Sequence, residues 1–339
     1  MNILNTLITL AVAAIPFATA LMLGTTGEIL CEKSGNLNLG VEGIMYIGGA
    51  FGLAGAFAYE KAISAAGRIA ASGEPASSGF IAIVIAIICA FASGAIASLI
   101  YSFITITLRA NQNVTGLALT IFGTGIGQFT GEYMRVKQGG FVSLSNHLKH
   151  AFSTNIFGPL AKIPVIGPIL FGHNVFFYLA VIIAITIYLF LMKTRKGLHL
   201  RAVGESPATA DSAGINVTRY KYAATTIGGG ISAIGGMVYI MTTAGATWNH
   251  EGLSGVGWLS VALVIFCIWN PLKAIWGSAL FGALMIMYLR IVVSSVPTEI
   301  YKILPYVVTT IVLVASSMRN NKEKQPPKSL GRNYFREER

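Results

Sequence analysis

"GNLNLGVEGIM", residues 35–45, decides how the chain is read. It follows Glu32 and Lys33 and sits between two long apolar runs, where a membrane helix would carry leucine. Glycines 35, 40 and 43 each weaken a helix by about 1 kcal/mol relative to alanine. Within a membrane, broken or re-entrant backbone is tolerated only where it lines a cavity or is covered by protein. Its free N–H and C=O groups can then hold a polar ligand, with Asn36, Asn38 and Glu42 adding side-chain donors and acceptors. Two other roles fit the same residues. One is an inner gate packed against neighbouring helices; the other is a plain cytoplasmic turn in which Asn38 caps a helix.

The rest of the chain supplies the membrane context. It has 339 residues, 54% hydrophobic and only 11% charged, against about 25% charged in soluble domains. Mean hydropathy is +0.67. Continuous apolar runs of about twenty residues mean helices. A transmembrane barrel would alternate polar and apolar residues in segments of about ten. Net charge is +11, but the basic residues fall in loops and a tail beside apolar runs. That pattern sets membrane orientation rather than nucleic-acid binding, and a basic tail can also touch anionic lipid. Cys31, Cys89 and Cys267 are isolated, so neither a metal site nor a disulfide framework is read from them. No basic residue precedes Lys33, so the N-terminus lacks the positive region of a signal peptide and reads as a retained first span.

Nine apolar segments are expected, at 3–24, 41–59, 80–103, 114–131, 174–192, 222–243, 254–269, 274–291 and 303–318. Lys193, Arg195, Lys196, Arg201, Arg219 and Lys221 place the loop between the fifth and sixth segments in the cytoplasm. The basic tail after residue 318 belongs on the same side, and the four segments between the two keep these assignments consistent. Residues 132–173 and the N-terminus then lie outside, although that loop also carries Arg135, Lys137, Lys149 and Lys162. Residues 1–318 form one transmembrane domain with a cytoplasmic loop at 194–220. The polar, proline-paired tail 319–339 reads as disordered.

No phosphate-binding loop, catalytic serine motif or zinc motif occurs, so the sequence points to no catalytic residue, metal or cofactor. The single aspartate, Asp211, lies in the cytoplasmic loop. The apolar segments are almost free of the ionisable groups that ion-coupled pumps use. Energy input therefore has no evident internal source.

Within the loop, "GLHLRAVGESPATADSAGINVTR" (197–219) carries its own local code. Ser206 suits an N-cap and Pro207 the first helical position. Residues 208–213 continue a short helix, and Gly214 stops it in the left-handed conformation. Such a rigid knob suits docking into another protein, or is an ordinary surface loop.

"LRAVGESPATADSAGIN" resembles the cytoplasmic signature of bacterial ABC-importer permeases of the ribose and branched-chain amino-acid family. "GEILCEKSGNLNLGVEGIM" resembles the first segment of that family's nucleoside and simple-sugar subgroup, keeping Glu32, Lys33, Ser34, Gly35, Asn38, Gly40, Glu42, Gly43 and Met45. "ATWNHEGLSGVGWLSVALVIFCIWNP" (246–271) and "LRANQNVTGLALT" (108–120) resemble further family segments, with Thr120 standing where asparagine is usual. The resemblance covers about residues 25–318.

It implies an all-α polytopic membrane protein of about 8–10 transmembrane helices, with a broken or re-entrant segment near 25–45, in the bacterial cytoplasmic (inner) membrane. It implies that the chain is no enzyme: ATP is hydrolysed by a separate ABC ATPase subunit. That subunit would seat the coupling helix at Glu205, Ser206, Pro207, Ala208, Asp211 and Gly214. A second permease subunit, homologous or identical, and an extracytoplasmic solute-binding lipoprotein complete the expected assembly. Candidate path residues are Asn36, Asn38, Glu42, Asn111, Gln112 and Thr115, of which Asn111, Gln112 and Thr115 equally suit helix capping. His250 and Glu251 read as polarity at the outer boundary. The competing class is a secondary transporter or facilitator of a small polar solute, for which Glu42 is the best ionisable candidate.

Overall fold

A computed structural model describes residues 3–69, 74–163, 167–290, 298–318 and 325–335. Among these the regular structure is helical, with β-pairing limited to isolated bridges. In chain order the helices are α1 (Ile3–Glu32), α2 (Val41–Ala65), α3 (Gly79–Ser102), α4 (Gln112–Gln138), α5 (Asn146–Ser153) and α6 (Val175–Lys193). They continue as α7 (Arg195–Glu205), α8 (Pro207–Ser212), α9 (Val217–Val238), α10 (Val256–Phe266), α11 (Pro271–Arg290) and α12 (Thr298–Met318). Each of the nine expected segments falls on one of these helices; residue 291 of the eighth lies outside the described residues. Five helices are by themselves long and apolar enough to cross a membrane: Ile8–Glu32, Val41–Ala65, Gly79–Thr107, Val175–Lys193 and Val217–Thr243.

α1 and α9 form the central pair, packed against α2, α3, α10 and α11. Small residues allow this, because helices in lipid gain little from apolar burial and associate through close packing. A Cβ on Gly236 would stand 1.9 Å from the Met45 carbonyl oxygen, and one on Gly48 2.2 Å from that of Ala233. On α3, Ala82, Ala86, Ala90, Gly94 and Ala97 turn inward while Phe80, Ile88 and Ile96 are exposed. α4 buries Gly116, Gly123, Gly127 and Gly131 along one stripe. Its ends follow from local chemistry: the Asn111 side chain accepts from the N–H groups of Asn113 and Val114, and Gly139 closes it with φ +73°.

Two interruptions break the helical pattern. α1 stays helical through Glu32, so the first break occupies 33–40, narrower than the 25–45 stretch expected. Gly123 lies against the Gly43 backbone. The start of α2 therefore stands about 16 Å along α4 from Gln112, at 1.5 Å per residue. That is about half of a ~30 Å hydrocarbon core. The second break, 244–255, begins beside the loop after α4, where Trp248 N–H donates to the Val142 carbonyl (3.1 Å). It ends where Gly257 abuts the backbone of Glu42. The N-termini of α2 and α10 thus meet deep inside the domain. α10, with eleven residues, spans about 16 Å, so the non-helical stretch supplies the rest of that crossing.

The tail departs from its composition. Residues 325–335, expected to lack structure, lie as a strap across the end of α7 and the first break. Ser329 is buried and donates to the Gly204 carbonyl (2.5 Å), and Gly331 N–H reaches the Gly35 carbonyl (3.3 Å). Leu330 packs on the main core and Tyr334 on Val203, Ala210 and Val217. A few well-placed apolar contacts outweigh an averaged polar composition. Residues 319–324 and 336–339 lie outside the described residues.

Candidate functional site

In the loop between α6 and α9, Ser206 opens α8 as its N-cap, accepting from Thr209 N–H (3.4 Å), and Pro207 takes the first helical position. Gly214 ends the motif at φ +80°, where a side chain would be strained. Ala210 points into a small core with Val203 and Val217, which fixes the helix to its own loop. Pro207 and Ala208 border a cavity of about 250 Å³ shared with Lys328 and Arg332 of the tail. Asp211 is tied to the Tyr334 hydroxyl (2.8 Å). A second cavity of about 410 Å³ lies between this loop and the turn before α4, bordered by Arg109, Asp211, Asn216, Lys221 and Asn333. At the end of α1, burial holds the Lys33 ammonium below its ordinary pKa, a shift partly offset by the nearby Glu205 carboxylate.

The first break is sealed. Asn36 donates from Nδ2 to Thr225 Oγ1 (2.9 Å), and Asn38 accepts from Gly40 N–H (2.9 Å). Leu37 donates its N–H to Gln112 Oε1 (2.8 Å) and accepts the Tyr101 hydroxyl at its carbonyl (2.5 Å). Gln112 Nε2 turns to the tail at Asn333 (3.3 Å). Asn111 caps α4, and Thr115 donates to the Asn111 carbonyl (2.8 Å). Of the six candidate path residues, Asn36, Asn38, Glu42 and Gln112 are buried. All six make hydrogen bonds within the chain.

Glu42 joins the two breaks. Its Oε1 accepts from Gly255 N–H (2.7 Å), and its Oε2 accepts from the N–H groups of Gly257 (2.6 Å) and Trp258 (3.2 Å). These are the orphan donors at the start of α10, and a carboxylate also complements the positive end of the helix dipole. The charge of Glu42 thereby welds the second break to the first.

The sequence reading did not take up Glu28, and named Glu32 only beside the break and within the family motif. Glu28 and Glu32, one turn apart on α1, are both buried, so the spans hold more acid than the apolar segment 3–24 allowed. Glu28 accepts from Asn38 N–H (3.2 Å), and Glu32 accepts from the Trp269 indole N–H. Glu60, also buried, accepts from Ser145 N–H (3.1 Å) at the start of α5. Each carboxylate has a protein donor, which is how buried polar groups are retained. The signal was the i, i+4 spacing within "GEILCE", which continues the first helix instead of ending it.

The sequence relationships of the chain give its family. The family described as "Branched-chain amino acid transport system / permease component" matches residues 2–313. The chain belongs to that permease family. The permease is 30% identical over 320 residues to the nucleoside ABC transporter permease protein NupC of Lactococcus lactis, covering 92% of this chain and 93% of the relative. It is 29% identical over 347 residues to the guanosine ABC transporter permease protein NupQ of Bacillus subtilis, covering both chains completely. It is 30% identical over 279 residues to the putative glucose ABC transporter permease protein TsgC13 of Haloferax volcanii, covering 82% and 76%. The permease is accordingly a multi-pass protein of the cytoplasmic membrane whose family role is passage, not catalysis.

Proposed function

We propose that this permease is the transmembrane subunit of an ATP-driven importer for nucleosides or simple sugars. It would receive solute from an extracytoplasmic binding protein. It would work beside a second permease, and a separate ABC ATPase would drive it through α8. The observation that carries this reading is α8 itself: a capped, six-residue helix anchored by Ala210 and presented at the inner face. Such a helix transmits displacement as a unit, because Ser206 and Gly214 fix both of its ends. Differential affinity of the ATPase for the two permease states would supply the bias between them. The solute class is supported by the nucleoside, guanosine and glucose permeases among its relatives. The carboxylates at Glu28, Glu32, Glu42 and Glu60 have structural partners, which favours this reading over an ion-coupled carrier.

Replacing Pro207–Ser212 by a glycine–serine stretch should abolish co-purification of the ATPase while the detergent-solubilised permease keeps its melting temperature within a few degrees. Uphill solute accumulation by vesicles holding only this chain and a proton gradient would overturn the proposal.

A further inference from the structure

A lone eleven-residue helix cannot cross a bilayer, so the path of residues 249–258 has consequences. Trp248 is pinned to the outer side by Val142 and lies against Gly131 of α4. Gly255 reaches the Glu42 carboxylate deep in the domain. Between them, Asn249, His250, Glu251 and Ser254 are exposed, and Trp258, on the first turn of α10, is 37% exposed. On α4, Thr124 and Gln128 lie four residues apart and are partly exposed beside the buried glycine stripe. Gln128 Nε2 donates to the His250 carbonyl (3.4 Å), which places the two surfaces side by side.

Lipid cannot face such a surface. Polar side chains and irregular backbone at membrane depth persist only against protein or a watery passage. At the outer end the same surface opens into a cavity of about 760 Å³, bordered by Glu132, Arg135, Phe141, Trp248, Asn249 and His250. The Trp248 indole N–H is buried against Gly131 of α4, and among the described residues no protein atom accepts it. The cavity is large enough for a small ring-bearing solute, since ligand pockets run about 300–1,000 Å³.

We infer that His250, Glu251, Ser254 and Trp258, with Thr124 and Gln128 of α4, form the wall along which the solute passes, and that this wall recognises a hydroxyl-bearing ring. The inference rests on the permease reading and gives it a location. Polar side chains on the wall offer donors and acceptors to hydroxyls. Trp258 offers an apolar face against which a sugar ring or a base can stack. Around 33–40 most side-chain polar groups bond within the protein, the buried Asn36 Oδ1 being the exception, whereas the side chains of His250, Glu251 and Ser254 are exposed.

The test is cysteine accessibility in the assembled transporter, with Cys89→Ala removing the one partly exposed native thiol; Cys31 and Cys267 are buried. Gln128→Cys, Ser254→Cys and Trp258→Cys should react with a membrane-impermeant thiosulfonate at least tenfold faster than Phe122→Cys and Ile88→Cys, both on exposed apolar faces. Saturating guanosine, uridine, ribose or glucose should slow that reaction several-fold. Protection by the nucleosides alone assigns the wall to nucleosides, and protection by the monosaccharides alone assigns it to sugars. Equal rates at wall and control positions, or no protection by any of the four, would overturn the inference. Labelling needs no ATP hydrolysis, so these failures are distinct from failure of the ATP-driven reading, which shows as uptake independent of the ATPase.

Discussion

The two interruptions, 33–40 and 244–255, are made of similar residues and end in different surroundings. In the first, glycines and asparagines are enclosed by α4, α9 and the tail, and Asn36, Asn38 and Gln112 bond within the chain. In the second, the polar residues from Asn249 to Ser254 stand open on the side that α4 shares. A polar break in an apolar chain is therefore not by itself a passage. What distinguishes the two is whether neighbouring helices meet the break's donors and acceptors. Glu42, in α2, belongs to both, since it leaves the first break and caps the end of the second.

That shared residue gives the largest expected effect. Glu42→Leu strands three amides, that of Gly257 buried and those of Gly255 and Trp258 partly so, and should cost several kcal/mol, at about 1–3 kcal/mol for each buried donor left unpaired. Glu42→Gln keeps one carbonyl oxygen as an acceptor and should lose markedly less. Thermal unfolding in a mild detergent reads both, and a Glu42→Leu protein as stable as the parent would break the proposed weld.

The next effect separates sealed from open surfaces on one helix. Gly123→Leu drives a side chain into the Gly43 backbone and should cost about 1–3 kcal/mol or more. Gly125→Leu, two residues on, meets open space and should change stability by less than about 0.5 kcal/mol. Equal losses in the same unfolding assay would erase the distinction between the two faces.

Inside the first break, Thr225→Val removes the acceptor for Asn36 Nδ2 and should cost about 1–3 kcal/mol. The cap variant Asn111→Ala should cost about 1 kcal/mol. If Asn111→Ala instead left stability unchanged and weakened guanosine uptake, Asn111 would be a path residue and not a cap. The smallest effect is at the tail. Tyr334→Phe removes one hydrogen bond to Asp211, about 0.5–1.5 kcal/mol. Faster protease cleavage within 325–335 under native conditions would register it.

Much of the fold was legible because its cues are local. Apolar runs located nine of the twelve described helices, and Ser206 and Pro207 marked the start of α8, which ends at Ser212, one residue short of the 208–213 stretch expected. The sequence also showed that something interrupts the chain at 35–45. It could not show which helix would cover that stretch, since the partners Thr225, Tyr101 and Gly331 come from distant parts of the chain. His250 and Glu251 looked like boundary polarity because nothing local reveals that the backbone turns inward after Trp248. The burial of Glu28 and Glu32 was not legible because their donors, Asn38 and Trp269, lie beyond the helix that carries them. Composition also misled at the tail, where Ser329, Leu330 and Tyr334 act singly and the average conceals them.

The strap at 325–335 also sets an order of assembly. Everything it grips — Gly35, Gly204, Arg109, Asp211 — leaves the ribosome before it does. During synthesis the helices can insert and pair while the cytoplasmic knob is still unbraced, and the final stretch then fastens three separate turns together. A chain cut short before residue 325 would carry every span yet lack its last fastening, a difference that cellular proteolysis could read.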